Sequence, residues 1–294
     1  MTRRNKSKLP PKLPDPVRER AAAPQREDSA REQLKRARVA GRSTEFGREE
    51  ILGVMRRVER NDARAMLGLA RFDALTAEQV RAAVASEFGW IGDGPRARIA
   101  PERTVDAFSA ACARVLEVAR NGGTLAFATS SPASLFTLHR ELARVARDAG
   151  GRVYDATEST SFRGRDAERS RLRWVDQVAM VTDGRALLGD DVSGNAAEEL
   201  LFAVGHPDVL VADRTFAGRA LSSGLEVIAF ADLDAVALAV AAWRGMAIRI
   251  VPLDERRPPD AYRPLLRLLG EQAEGAEGAE GAVSIDRAGL LAEH

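Results

Sequence analysis

Apolar positions recur every three to four residues in the first part of the chain. They then give way to short apolar runs alternating with longer amphipathic stretches. Ser29 caps a predicted helix over 29–39, closed by Gly41. Ile51, Val54, Met55 and Val58 share one face of a second over 48–60. Asn61 or Asp62 starts a third carrying Met66, Leu67 and Leu69, and Thr76 a fourth that ends near Phe88. The pattern thus predicts a helical N-terminal layer.

Beyond residue 95 the period switches. A long helix over 101–120 turns Val105, Phe108, Ala111, Cys112 and Val115 inward. Apolar runs at 124–128, 152–156, 175–182, 209–212, 227–230 and 248–251 read as strands, with 186–188 as a hairpin return. Helices are predicted at 133–148, 195–204, 215–223, 233–243 and 260–269. Strands alternating with helices predict an α/β fold. Its mostly parallel sheet would have flanking helices in a Rossmann-like arrangement, preceded by the helical layer.

The termini differ from this body. Residues 1–42 carry a local charge of +8 within a chain whose net charge is +1. All the lysines (Lys6, Lys8, Lys12, Lys35) fall there, and no aromatic precedes Phe46. So little apolar surface predicts a disordered basic arm over 1–28, ahead of one α/β domain at 29–271. The arm reads either as a solvated tail or as a contact to nucleic acid or an acidic partner, although no aromatic interleaves its charges as a stacking platform requires. Ala-Glu-Gly triplets at 273–281 predict a flexible tail over 272–294.

Composition narrows the chemistry. A single cysteine, Cys112, excludes an internal disulfide, and three histidines (His139, His206, His294) leave little for a multi-histidine metal site. The longest apolar run, 235–243, is about nine residues, against about 20 needed to span a bilayer. With no apolar leader at the N-terminus, the pattern predicts a cytoplasmic protein without a membrane partner. Neither a Walker loop nor a GxGxxG nucleotide-cofactor motif occurs.

In a parallel sheet, ligands sit at the carboxyl ends of strands, so the loops leaving those ends carry the candidate chemistry. After the first strand come Thr129, Ser130, Ser131, Pro132 and Ser134. Their hydroxyls beside a helix N-terminus suit a phosphate or carboxylate, or they simply cap the helix. Asp190 and Asp191, within Gly189–Asn195, offer oxygen ligands to a hard ion such as Mg²⁺ or Mn²⁺, or form a polar turn. Asp213, after the strand at 209–212, suits a general base or metal ligand, and Arg214 a phosphate oxygen; Asp213 also reads as a helix cap. His206 falls at the opposite end of the sheet, and His139 sits mid-helix, two turns beyond the hydroxyl loop. No serine–histidine–acid set is legible.

The body resembles a family of actinobacterial proteins labelled "phosphatase", over about residues 29–270. The resemblance rests on Arg31 through Gly41, on Ala65-Met66-Leu67-Gly68-Leu69, on Pro101-Glu102-Arg103-Thr104 and on Leu125 through Pro132. Most specific are Val251-Pro252-Leu253-Asp254 and Tyr262-Arg263-Pro264-Leu265. It implies a phosphate-ester hydrolase or phosphate-ligand binder. The chain departs from the family pattern at its histidines: Ser131-Pro132 stands for His-Pro, Asp190-Asp191-Val192-Ser193 for a His-x-His stretch, and Asp213-Arg214 for Asp-His. Two readings follow. One is a phosphomonoesterase in which the hydroxyl loop and Arg214 hold phosphate while Asp190, Asp191 and Asp213 bind a divalent ion. The other is an inactive phosphate-ligand binding module or regulatory paralogue.

Overall fold

A computed structural model describes residues 23–159, 162–163, 169–189 and 194–274. Residues 1–22 of the arm expected over 1–28, residues 275–294 of the tail expected over 272–294, and Asp190 and Asp191 lie outside the described residues. The first helix, α1 (Ala23–Arg36), begins six residues ahead of the expected cap at Ser29.

The N-terminal layer is not wholly helical. Strand β1 (Gly41–Gly47) is followed by α2 (Arg48–Glu59), α3 (Ala77–Phe88) and β2 (Arg96–Ile99). β1 and β2 pair antiparallel as a small separate sheet. β2 alternates exposed Arg96 and Arg98 with buried Ala97 and Ile99, a period of two over only four residues. The helix expected from residue 61 shrinks to one 3₁₀ turn at Ala63–Ala65, capped by the Asp62 carboxylate. Leu67 and Gly68, with φ of 49° and 79°, then turn the backbone away from a helix.

The body follows as α4 (Pro101–Arg120), β3 (Thr124–Ala128), α5 (Pro132–Asp148), β4 (Arg152–Val153), β5 (Phe162–Arg163), β6 (Arg169–Val175) and β7 (Val178–Thr182). Then come α6 (Asn195–Val204), β8 (Val209–Asp213), α7 (Arg214–Ser222), β9 (Val227–Ala231), α8 (Val236–Trp243), β10 (Ile248–Pro252) and a last helix, α9, over 263–274. The strands form one sheet in the order β10-β9-β8-β3-β7-β6-β5, with β4 paired to the start of β3. β10, β9, β8, β3 and β7 are parallel, as the alternating pattern predicts. β7, β8 and β9 are buried at every position, as strands covered on both faces must be.

The other departures lie at the edge of the sheet. The apolar run at 175–182 is two strands joined by Asp176 and Gln177, both at positive φ, the geometry of a two-residue hairpin. β6 escaped the pattern because arginines alternate with its inward Leu172 and Trp174. The expected return at 186–188 is a single bridge from Thr182 to Leu187, and the strand at 152–156 ends at Val153.

Helices α4 and α5 pack on each other and on β3, α7 lies on β8 and β9, and α8 lies on β10 beneath α3. Cys112 is buried in α4, where burial pushes its thiol up to about 12 and leaves it inert packing. Among the described residues, no helix is long and apolar enough to cross a membrane.

Candidate functional site

The chain leaves β3 toward β7 on one side of the sheet, while β8, β9 and β10 build the other. The strand order therefore switches between β3 and β8, and sheets of this kind take ligands at the carboxyl ends of the strands flanking such a switch. Two predicted loops meet there. Asp213 ends β8 with no solvent exposure. Its carboxylate accepts the hydroxyl protons of Thr129 and Ser130, together with the Ser130 N–H at 2.7 Å. Thr129 is fully buried and Ser130 is 3% exposed, so these two hydroxyls are spent on Asp213 rather than held open toward a ligand. Parallel strands make the meeting possible: Leu125, Ala126 and Phe127 of β3 register with Val209, Leu210 and Val211 of β8, which brings both strand ends to one level.

The rest of the hydroxyl loop is tied in the same way. The Ser131 N–H donates to Thr129 Oγ1 at 3.0 Å, and the Ser134 hydroxyl donates to the Glu255 carbonyl at 2.5 Å. Pro132 occupies the first turn of α5, where its missing N–H costs nothing.

His139, one face of α5 further on, reaches the same carboxylate. Its Nε2 lies 3.8 Å from Asp213 Oδ2, beyond hydrogen-bond length, and its ring packs edge-on against Phe230. Neither imidazole nitrogen has a hydrogen-bond partner, and burial drives the ring's pKa down to about 3. This is a neutral imidazole in a dry place. His206, by contrast, lies before β8, at the opposite end of the sheet.

Arg214, the first residue of α7, adopts a φ of 45°, which costs a non-glycine residue about 1 kcal/mol or more. The sharp strand-to-helix turn carries its guanidinium over the ends of β9 and β10. There it bonds Asp234 at 3.3 and 3.4 Å and pairs closely with Glu255. Arg256 reaches Asp234 from the other side at 3.2 Å, and Arg257 pairs with Asp254 at 2.9 Å.

Asp232, Asp234, Asp254 and Glu255 thus line the rim after β9 and β10, and sequence reasoning assigned none of them to the site. A signal exists in retrospect. Like β8, both strands end in an apolar run followed at once by acids, Ala231-Asp232-Leu233-Asp234 and Leu253-Asp254-Glu255. Burial is the main cause that holds Asp232 well above the usual carboxylate range, with the charges of Asp234 and Asp254 adding to it. Burial raises Glu255 likewise, against the opposing charge of Arg214. One oxygen of each, Asp232 Oδ2 and Glu255 Oε2, is buried with no hydrogen-bond partner.

The structure therefore brings Thr129, Ser130, Ser131, Ser134, Asp213 and Arg214 to one rim. It contains no grouping of three or more acid, histidine or cysteine side chains able to hold a metal ion among the described residues. Both Asp213 oxygens are occupied as hydrogen-bond acceptors. Of the three ligands expected for a divalent ion, Asp213 alone falls within the described residues.

Comparison with known proteins agrees with the sequence resemblance. The family model described as Phosphatase matches residues 25–277. "Phosphatase SCO2771" of Streptomyces coelicolor is 31% identical over 253 residues, covering 82% of this chain and 94% of that protein. No solved structure matches the chain. With the match running from α1 to the last helix and taking in every element of the rim, the chain belongs to the Phosphatase family.

Proposed function

We propose that the protein binds a small phosphate monoester at the carboxyl rim between β3 and β8 and hydrolyses it. The observation that carries this reading is the Asp213 carboxylate at the switch point, hydrogen-bonded to two hydroxyls and flanked by a strained arginine, in a chain of the Phosphatase family. Asp213 takes a proton from a water that displaces the Thr129 and Ser130 hydroxyls, as that water's oxygen bonds to phosphorus and the ester P–O bond to the leaving alkoxide breaks. Arg214 supplies a planar fork for phosphate oxygens when it exchanges its carboxylate partners for the substrate. Glu255, whose proton burial favours against the opposing charge of Arg214, is the group that can return a proton to the leaving alkoxide.

A second reading, phosphate-ligand binding without turnover, is favoured by the burial of Asp213, Ser130 and Glu255, at 0%, 3% and 2% exposure. The test is phosphate release from a broad panel of phosphomonoesters, with and without Mg²⁺ or Mn²⁺, run beside thermal shift with the same compounds. Release supports hydrolysis. Thermal shifts that disappear in Arg214→Gln, with no release, leave the binding module. Neither release nor shift from folded protein removes the phosphate ester from both readings.

A further inference from the structure

A second charged feature lies outside the rim. The end of α1, the β1–β2 sheet and the start of α4 enclose a cleft of about 1130 Å³. Lys35, Arg38, Arg42, Arg96 and Arg98 line it, against two acids, Asp93 and Glu102. All five basic side chains are exposed. Arg42 and Arg98 are direct cross-strand partners in the antiparallel pair. Like charges opposite each other on one sheet face repel. Compensation of the opposed pair is partial. Arg98 has Asp93 at 3.6 Å, Lys35 has Glu32 at 2.7 Å, and neither Arg38 nor Arg42 has an ion-pair partner among the described residues. Arg38 also holds a φ of 60°, where glycine or asparagine makes the turn without penalty.

An anion bridging the two arginines removes their repulsion. Lys35 and Arg38 line the same cleft, and cations spread beyond the opposed pair call for more than one anionic group. No aromatic side chain lines the cleft, so it offers no stacking platform for the bases of a single strand. We propose that this cleft is a separate anion site that binds a small ligand carrying two or more linked phosphate groups, with Arg42 and Arg98 opposed in order to hold it. The Asp254 N–H donates to the Val39 carbonyl at 2.8 Å, between the cleft wall and the rim. The two sites are neighbours, and neither needs the other to bind.

The test uses the full chain with inorganic tripolyphosphate as probe, orthophosphate as the single-group comparator and oligo-dT as the polymeric one. Calorimetry and thermal shift are run at fixed ionic strength. Tripolyphosphate is expected to bind at least tenfold more tightly than orthophosphate. Arg42→Gln and Arg98→Gln are each expected to weaken it at least tenfold while raising the melting temperature of the ligand-free protein. Arg42→Glu places an acid opposite Arg98, so it should stabilise the ligand-free protein and abolish binding. Phosphate release from monoesters at the rim should be the same in all three variants. Tripolyphosphate binding that survives these substitutions overturns the site and assigns the affinity to other cations, such as those of residues 1–22. Tighter binding of oligo-dT than of tripolyphosphate overturns the ligand class. A fall in ligand-free stability in Arg42→Glu overturns the repulsion on which the site is built.

Discussion

His139 Nε2 and Asp213 Oδ2 lie 3.8 Å apart, both side chains without solvent exposure. At that distance the imidazole makes no hydrogen bond to the carboxylate. With a pKa near 3 it carries no charge at neutral pH either. Thr129 and Ser130 hold the Asp213 carboxylate, and His139 packs beside it as an uncharged, shaped wall. Replacing His139 with phenylalanine should keep the edge-on packing against Phe230. Phosphate release should fall less than about tenfold, well short of the 10²–10⁴ expected for loss of a general acid or base. A larger loss in a folded variant gives His139 a chemical role.

The same burial predicts a pH signature in stability. In the unfolded chain His139 titrates near 6.5, and in the folded chain near 3. Its contribution is present above about pH 6.5 and is lost as pH falls toward 3, because the unfolded state binds the extra proton. The slope is at most about 1.4 kcal/mol per pH unit. Melting temperatures measured from about pH 7 down to about pH 4 should fall less steeply in His139→Phe.

Glu255 and Asp232 act with the opposite sign. Their folded pKa values are raised, so their contribution is complete below about pH 4 and is lost as pH rises through the folded values. Glu255→Gln removes that loss and should raise stability at alkaline pH relative to wild type, while removing the proposed proton donor and lowering phosphate release. An alkaline limb unchanged by the substitution means that Glu255 is ionised throughout.

Arg214 tests the phosphate contact. Lysine retains a positive charge beside Glu255 and loses the planar fork. Arg214→Lys should raise KM about tenfold, the scale of a lost charged hydrogen bond, with a smaller effect on kcat. Unchanged KM would remove Arg214 from the substrate site.

Gly218 tests the platform beneath it. A Cβ there would lie 2.0 Å from the Leu67 carbonyl oxygen, a backbone atom that cannot swing away. Gly218→Ala should push α7 off the 65–69 segment and cost about 3 kcal/mol, at the upper end for overpacking. Because α7 starts at Arg214, phosphate release should fall together with the melting temperature.

How much of this the sequence revealed depended on where each signal resides. The parallel strands were legible because both faces are buried and their apolar runs are unbroken, as in Val209 through Ala212. β2 and β6 were not, since arginine alternates with their inward residues. Asp213, Thr129 and Ser130 could be read as strand-end residues. That they bond one another could not, because it depends on strand order, which puts β3 beside β8 across 84 residues of chain. His139 was hidden by its mid-helix position, and Glu255 by a short connection whose acids resemble any polar turn.

The most direct measurement is phosphate release by wild-type protein and Asp213→Asn, side by side, on a phosphomonoester the wild type turns over. The amide keeps one acceptor oxygen for the two hydroxyls and cannot take a proton. Asp213→Asn is expected to fold, to be less stable by about 1–3 kcal/mol, and to release phosphate at least about 100-fold more slowly. Release at the wild-type rate from a folded Asp213→Asn would contradict it.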